Sequence, residues 1–385
     1  MAVTRRGFIR VFGTSAVIVA AGGLAFSRVD PMPEQAIEGW KGPAPNVRDP
    51  RVRALSYALL APNPHNLQPW IADLREANVI TFLLDRTRSL PETDPYSRQI
   101  TIGCGAFLEL LRMSAAEQGL DVDVATFPAG DWPANAVGDQ PVCRVTFTVG
   151  ARVVKDPLFA QVLRRRTNRS GYDAPPPTMA EAEALHATMT QLPVQFGWTS
   201  DVGQVARLRD IAKRAWDVEV NKDATYRESV RVYRVTAEDI LKHRDGLSFH
   251  GPFFWSMHAL GLFTKEQALS GDATVRQQTR DYVNDQLAHT PSLAWIVTHT
   301  NDRRAQLAAG AAYVRANLKA TELGLAMAPL SQALQEYSEM LPLLAEHKRA
   351  LALPKSDTVQ MFFRVGRAAP VEPAPRRPLD AIIRA

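Results

Sequence analysis

The sequence predicts an α+β chain in which two half-domains are fused as an intramolecular pseudo-dimer, and three observations predict it. Residues 102–120, IGCGAFLELLRMSAAEQGL, lie without a gap over residues 307–325, LAAGAAYVRANLKATELGL, with Gly105/Gly310, Ala106/Ala311, Ala115/Ala320, Glu117/Glu322, Gly119/Gly324 and Leu120/Leu325 coinciding. Each copy reads as a helix that is small or apolar on most faces and closed by a glycine C-cap. Each is preceded by a strand-like run, residues 79–84 and 293–297, and followed later by another, 142–149 and 359–365. Their β-branched and aromatic residues suit buried strands. Ala-rich helices resemble one another by chance, but matching flanks do not follow from composition. A strand–helix–strand unit therefore occurs twice, roughly 205 residues apart, as in a homodimer written into one polypeptide.

Taken in order, the chain opens on Thr4-Arg5-Arg6-Gly7-Phe8-Ile9-Arg10 and a mildly apolar run to Phe26, broken by Gly13, Gly22 and Gly23. Twin arginines followed by a hydrophobic and a basic residue form the Tat export pattern. The run is short and glycine-rich for a membrane span, and Gly23-Leu24-Ala25 offers a small-residue cleavage site. The expectation is a Tat signal over residues 1–27, handled by the Tat translocase, with a periplasmic or secreted product; an uncleaved leader would instead anchor the protein. Tat carries folded proteins, usually around a cofactor, so the leader also points to one acquired in the cytoplasm. The N-terminal half is expected over residues 46–150 and the C-terminal half over 151–385. Between the repeats, 178–191, 204–220 and 271–287 read as helices and 194–198 as a short strand. Residues 243–264, glycine- and aromatic-rich without clean periodicity, read either as a loop over a binding site or as an aromatic packing segment.

Bulk composition narrows the function classes. The chain has 385 residues, 46% hydrophobic and 22% charged, enough for one large core or two medium ones. Its net charge of +5 becomes +2 once Arg5, Arg6 and Arg10 leave with the leader. No basic stripe with interleaved aromatics marks a nucleic-acid partner, and no later stretch reaches the ~20 apolar residues of a membrane span. Cys104 and Cys143, the two cysteines, have no CxxC spacing or metal-type histidine neighbours; buried, unpaired thiols are expected, with a disulfide the alternative. Zinc-protease, nucleophile-elbow, Walker and dinucleotide fingerprints are absent.

Two polar segments remain. Ala61-Pro62-Asn63-Pro64-His65-Asn66-Leu67-Gln68-Pro69-Trp70 is a turn-rich loop whose amides can give and accept hydrogen bonds. Arg164-Arg165-Arg166-Thr167-Asn168-Arg169 places guanidiniums and a hydroxyl at what reads as a helix start, suited to a phosphate with its three acceptor oxygens. Together they can hold a planar polar ring at one end and a phosphate at the other, which is what flavin mononucleotide (FMN) needs. The alternatives are a loop that merely turns and a basic turn that is merely solvated. Trp70 is expected in the core at the start of a strand.

These residues resemble the nitroreductase-fold flavoproteins. Pro62-x-x-x-Asn66-x-Gln68-Pro69-Trp70 is similar to their P-S-x-x-N-x-Q-P-W loop, and Arg165-Arg166-Thr167-Asn168-Arg169 to their R-R-S-x-R phosphate motif. Residues 375–379 resemble their basic C-terminal P-x-R-x-P-L segment, and 323–329 the G-L-x-x-x-P turn over the flavin. Here the loop precedes the phosphate motif, an order similar, with the Tat leader, to the fused single-chain Acg-type branch. The resemblance implies the nitroreductase fold, FMN as cofactor, and a composite site of Pro62, Asn63, His65, Asn66, Gln68, Arg165, Arg166, Thr167, Arg169, Pro329, Leu330, Ser331, Arg376 and Arg377. Within it, backbone N–H groups near Pro329, Leu330 and Ser331 would contact flavin N5. A mirror-image site would need an arginine motif before residue 61; Asp49-Pro50-Arg51-Val52-Arg53 is a poor one, so one FMN per chain is expected. One departure is Asn63-Pro64 in place of the family's serines, because Pro64 has no N–H to donate.

The chemistry implied is oxidoreduction: a nicotinamide donates hydride to flavin N5, and a small planar acceptor, nitroaromatic or quinone-like, takes the electrons. No acid–base residue or metal is required. The alternatives are a protein that sequesters FMN beneath a lid formed by residues 243–264, as Acg-type relatives are thought to, and a flavin-free remnant.

Overall fold

Two helices, α2 (Arg98–Glu117) and α10 (Arg303–Glu322), cross at the centre of the molecule, and glycine permits the crossing. A Cβ on Gly105 would lie 2.0 Å from the Leu307 carbonyl oxygen, and one on Gly310 would lie 1.8 Å from that of Ile102. In the repeat Gly105 matches Gly310 and Ile102 matches Leu307, so the contact is reciprocal, as in an isologous interface. The computed structural model describes residues 29–150 and 152–385; the predicted leader, its cleavage site and the 1–27 boundary lie outside them.

Each central helix belongs to a sheet of the same order. The first sheet contains β1 (Trp70–Asp73), β2 (Val79–Leu84), β3 (Leu120–Thr126) and β4 (Cys143–Val149), in the spatial order β1-β2-β4-β3. The second contains β5 (Gln195–Thr199), β8 (Leu293–Thr298), β9 (Ala326–Pro329) and β10 (Thr358–Gly366), in the order β5-β8-β10-β9. All these neighbours are antiparallel. The predicted strand–helix–strand unit is thus a strand–helix–strand–strand unit, with β3 and β9 as the extra strands. Gly119 (φ +73°) and Gly324 (φ +71°) follow the two helices in the left-handed conformation, which costs glycine little. One strand breaks the partition: β11 (Ile383–Arg384), from the end of the chain, pairs parallel with β1 and gives the first sheet a fifth strand.

The central helices begin about four residues before the repeat and its predicted starts. Asp302 caps α10 through the Ala305 N–H at 2.9 Å, and Asp94 accepts from Gln99 N and Ile100 N at 3.1 and 3.0 Å, which carboxylates near helix starts do well. Gly103-Cys104-Gly105 therefore lies within a helix rather than opening one. Cys104 and Cys143 are free, buried thiols. Trp70 is fully buried at the head of β1, its ring 5.0 Å from that of Phe107. The core of the first half also takes Leu307, Val314 and Leu318 from α10.

Among the described residues the remaining α-helices are α1 (Pro50–Ala58), α3 (Met179–Ala187), α4 (Val202–Asn221), α5 (Asp223–Arg231), α6 (Ala237–His243), α7 (Gly251–Ala259), α8 (Lys265–Ser270), α9 (Ala273–Ala288) and α11 (Leu341–Ala350). Two short strands, β6 (Tyr233–Val235) and β7 (Leu247–Phe249), pair parallel. The 243–264 segment is thus folded, not irregular: β7 leads into α7, and the rings of Phe249, Phe254 and Phe263 pack with centroids 5.1–5.4 Å apart. No helix among the described residues is long and apolar enough to cross a membrane.

Candidate functional site

Left-handed backbone at three non-glycine residues shapes the amide loop: His65 (φ +49°), Asn66 (φ +53°) and Gln68 (φ +51°). Each such residue costs about 1–3 kcal/mol unless its surroundings hold it, and the loop's own amides do the holding. Asn63 accepts from the Gln68 N–H at 2.8 Å and donates to the Ala61 carbonyl at 3.1 Å. Gln68, 1% exposed, donates to the carbonyls of Asn66 and Arg244 at 3.1 and 3.0 Å and accepts from the Arg377 N–H at 2.8 Å. Asn66 donates to the Pro375 carbonyl at 3.1 Å and accepts from Arg376 at 2.8 Å. The amides expected to read a ring edge therefore lock the loop to residues 375–377. The structure brings the loop and the basic C-terminal segment together, but as scaffold.

The arginine segment differs from expectation in a similar way. It is not a helix start: a short 3-10 helix, Pro157–Gln161, ends before it, and Arg164–Arg169 runs on in turn and irregular backbone. No helix dipole therefore aims at an anion here. Arg165 is buried and donates to Asn317 and to the Leu60 carbonyl, both at 2.9 Å. Arg376 donates to the same carbonyl at 3.0 Å. Arg166 turns back on the carbonyls of Leu163 and Arg165, both at 2.8 Å. The three guanidiniums surround Trp40, at 4.4 Å (Arg166), 4.9 Å (Arg376) and 5.5 Å (Arg165) from its ring. Burial lowers Arg165 to about 10; it also lowers Arg376 well below its ordinary value, with the charges of Arg165 and Arg166 adding to the effect. Like charges this close in a buried place call for an anion or for strong aromatic and carbonyl partners.

What the fold leaves over marks the candidate site. The Nε atoms of Arg165 and Arg376 and the hydroxyl of Tyr313 are buried and unpartnered. Tyr313 feels the charges of both Arg165 and Arg169. Arg169 is exposed and has neither carboxylate nor hydrogen-bond partner among the described residues, and Thr167 is half-buried beside it. Pro62 is half-buried at the loop's entrance. Arg377 donates to the carbonyls of Gln68 and Ala381, at 3.0 and 2.8 Å. In the predicted N5 turn, Pro329 has no N–H to give and the Leu330 N–H is taken by the Phe362 carbonyl at 2.8 Å; only Ser331 keeps one to offer a ligand.

His65 connects the loop to residues that the sequence did not mark. Its Nε2 lies 3.0 Å from Ser229 Oγ. Ser229 Oγ is 3.3 Å from Glu219 Oε1, and Gln335 donates to Glu219 Oε2 at 2.7 Å. Burial, with the Arg169 charge adding to it, lowers the imidazole to about 4. Burial raises the Glu219 carboxyl to about 7, against hydrogen bonds from Gln335, Ser229 and Gln332. Glu219 sits among apolar residues of an ordinary amphipathic helix, so only its position on the buried face could have drawn notice. A separate surface depression of about 380 Å³, lined by Glu117, Lys155, Asp156, Pro157, Phe159 and Ala160, shares no residue with these segments. The mirror-image arginine motif is closed: Arg51 donates to the carbonyls of Leu74, Glu76 and Val79 at 3.0, 2.7 and 3.0 Å and is paired with Asp49 at 2.7 Å.

No protein-family model matches the chain. The Mycobacterium tuberculosis protein named "Putative NAD(P)H nitroreductase acg" is 25% identical over 348 residues, covering 86% of this chain and 93% of that protein. A second M. tuberculosis protein, named in the same way, is 26% identical over 372 residues, covering 90% of this chain and 96% of its own length. Among solved structures, the FMN-dependent nitroreductase NfnB of Mycobacterium smegmatis, in complex with NADPH, corresponds loosely, with a TM-score of 0.38 and 20% identity over 58% of this chain and 96% of that one. Sequence likeness to these proteins runs along nearly all of its body, so the chain is nitroreductase-like and similar to the Acg type.

Proposed function

We propose that this chain is an FMN-dependent oxidoreductase of nitroreductase type that binds one FMN per polypeptide. The observation that carries the proposal is Arg169: a cation with no partner among the described residues, whose charge acts on both His65 of the loop and the unpartnered Tyr313 hydroxyl. The residues fit a phosphate, because the buried Nε atoms and the Tyr313 hydroxyl are donors without acceptors, and no carboxylate competes for Arg165, Arg166, Arg169 or Arg376 among the described residues. Arg169 and Thr167 would hold the phosphate, and His65 and Ser331 are the groups left to meet the ring. Bound FMN would supply the redox chemistry, taking hydride at N5 from a reduced nicotinamide and passing electrons to a nitroaromatic or quinone-like acceptor. The locked loop gives the site rigid edges, which preorganises it.

The matching sheets and reciprocal helix crossing support a fused pseudo-dimer, in which closure of the mirror-image motif by Arg51 leaves a single site. Export through the Tat translocase to the periplasm or beyond belongs to the same proposal, and rests on the Arg5-Arg6 leader.

A second reading is FMN sequestration with little turnover. It is favoured by the tie between the 243–264 segment and the loop: the Arg244 carbonyl accepts from Gln68, and the Gly246 N–H donates to the Asn66 carbonyl at 3.2 Å. The test is to purify the protein from cytoplasm, record its visible spectrum and add NADPH without oxygen. A yellow protein near one FMN per chain that bleaches supports the oxidoreductase. A yellow protein that stays oxidised supports sequestration. A colourless protein that takes up no FMN overturns both.

A further inference from the structure

The chain His65–Ser229–Glu219 joins the loop to the interior, and each link has a direction. A serine hydroxyl has one proton, so Ser229 can donate to His65 Nε2 or to Glu219 Oε1, but not to both. An ionised Glu219 accepts the hydrogen bond of the Ser229 hydroxyl. Ser229 Oγ then accepts from His65 Nε2–H, and Nδ1 is left as a bare lone pair. A protonated Glu219 donates to Ser229, Ser229 donates to Nε2, and the imidazole proton moves to Nδ1. His65 stays neutral in both states. Nδ1 has no hydrogen bond among the described residues, and the half-buried ring leaves it open. The geometry points to Glu219 as a positioning residue whose proton sets whether His65 offers a donor or an acceptor to a ligand in the candidate site. A donor suits the carbonyl oxygens of an isoalloxazine ring; an acceptor suits its N3–H. The identity of the ligand rests on the function proposed above, but the switch itself does not.

The surroundings allow Glu219 to titrate near neutrality. Its carboxyl is raised to about 7 by burial, and the Glu228 charge on α5 adds to this. Burial raises Tyr337, which follows the Gln332–Leu334 turn, and Tyr233 on β6, and the Glu219 charge adds to both. Lys222, three residues along the chain, lies 5.0 Å over the Tyr337 ring and is bonded to Glu339 rather than to Glu219. Arg169 faces His65 and opposes its charging. Among the described residues no cation is paired with the Glu219 carboxylate, and the imidazole is held uncharged while the carboxyl changes state. Gln335 also reaches Glu219 from just beyond the Pro329–Ser331 turn, so the network bridges both segments expected at the ring.

The test uses the full chain without added cofactor. Histidine ring ¹⁵N shifts are followed from pH 5.5 to 8.5, and the His65 signal is assigned by its loss in His65→Asn. The expected result is a neutral imidazole throughout, with the proton on Nδ1 at the acid end and on Nε2 at the alkaline end. Glu219→Gln and Ser229→Ala should each abolish the pH dependence, and Ser229→Thr, which keeps the hydroxyl, should restore it. Far-UV circular dichroism checks that every variant is folded. A fixed tautomer in the parent chain, a change to imidazolium over this range, or a switch that survives Ser229→Ala would overturn the inference. FMN affinity, read by quenching of flavin fluorescence, should change roughly two- to tenfold between pH 6 and 8 in the parent, the span of one neutral hydrogen bond, and stay flat in Glu219→Gln. A tautomer switch in a protein that takes up no FMN would uphold this inference and overturn only the FMN reading.

Discussion

His65 and Glu219 are displaced from their ordinary titration ranges in opposite directions, and this has a consequence for stability. Unfolded, the imidazole titrates near 6.5; folded, near 4, so its contribution is complete above 6.5 and is lost as pH falls toward 4. Glu219 moves from 4.5 to about 7, so its contribution is complete below 4.5 and is lost as pH rises toward 7. Between pH 4.5 and 6.5 the two slopes cancel. Glu219→Gln should uncover the histidine, making stability fall by about 2 kcal/mol as pH drops across that window. His65→Asn should uncover the carboxyl and reverse the sign. Urea midpoints at pH 4.5, 5.5 and 6.5 check this; parallel shifts with no change of slope would refute it. Arg169 gives the other prediction at this scale. It has no hydrogen bond or ion pair among the described residues, so Arg169→Ala should leave the melting temperature nearly unchanged. Loss of a charge-assisted contact worth about 1.5–3 kcal/mol should weaken FMN binding by roughly 10- to 100-fold, measured by fluorescence titration.

The central glycines set the closeness of the two long helices, and substitution separates packing from backbone preference. Gly105→Ala would place a methyl 2.0 Å from the Leu307 carbonyl oxygen, which belongs to backbone and cannot swing aside. The helices would have to part, at a cost of about 2–3 kcal/mol even after alanine's better helix propensity is credited. Gly119→Ala has open space around it and only a left-handed φ to oppose it, so about 1 kcal/mol is expected. Thermal melts of the two variants give the ranking, and an equal loss would show that the crossing is not tight. Such elements were legible where pattern is periodic: the long helices, β2, β4, β8 and β10 all follow from runs of apolar residues. β3 was not, because Leu120–Thr126 alternates Asp with Val on a half-exposed edge and its run is weak. The loop and the basic segments were legible as neighbours but not in their detailed roles. Residue type shows that an amide or guanidinium can bind a ligand; it does not show that a left-handed loop will need Asn66 and Gln68, or that Leu60 will take two arginines. Glu219 and Ser229 were invisible, since their meaning comes from a contact between α4, α5 and a loop more than 150 residues away.

At the scale of the whole chain, the halves do not have separate interiors. Side chains of α10 complete the core of the first half, and Ile102 of α2 lies in a cluster built from the second. The C-terminal tail reinforces this: Ala72 and Leu74 donate to the carbonyls of Ile382 and Arg384, Trp40 donates to Ala374 at 2.8 Å, and Arg376 N donates to Ala36 at 2.7 Å. A chain this long would ordinarily unfold in stages. Here neither half can close its core alone, so residues 29–385 should unfold in one transition, with far-UV dichroism and tryptophan fluorescence changing together in urea. The same sharing predicts that residues 29–150 produced alone, with the α10-facing side of α2 exposed, should fail to fold, as should 152–385 alone. Co-expression of the two pieces should recover a soluble complex, because the interface they would form is the core itself. Two resolved transitions in the intact chain, or a cooperative melt from either piece alone, would show that the halves are independent domains joined by a linker rather than one unit divided between two sheets.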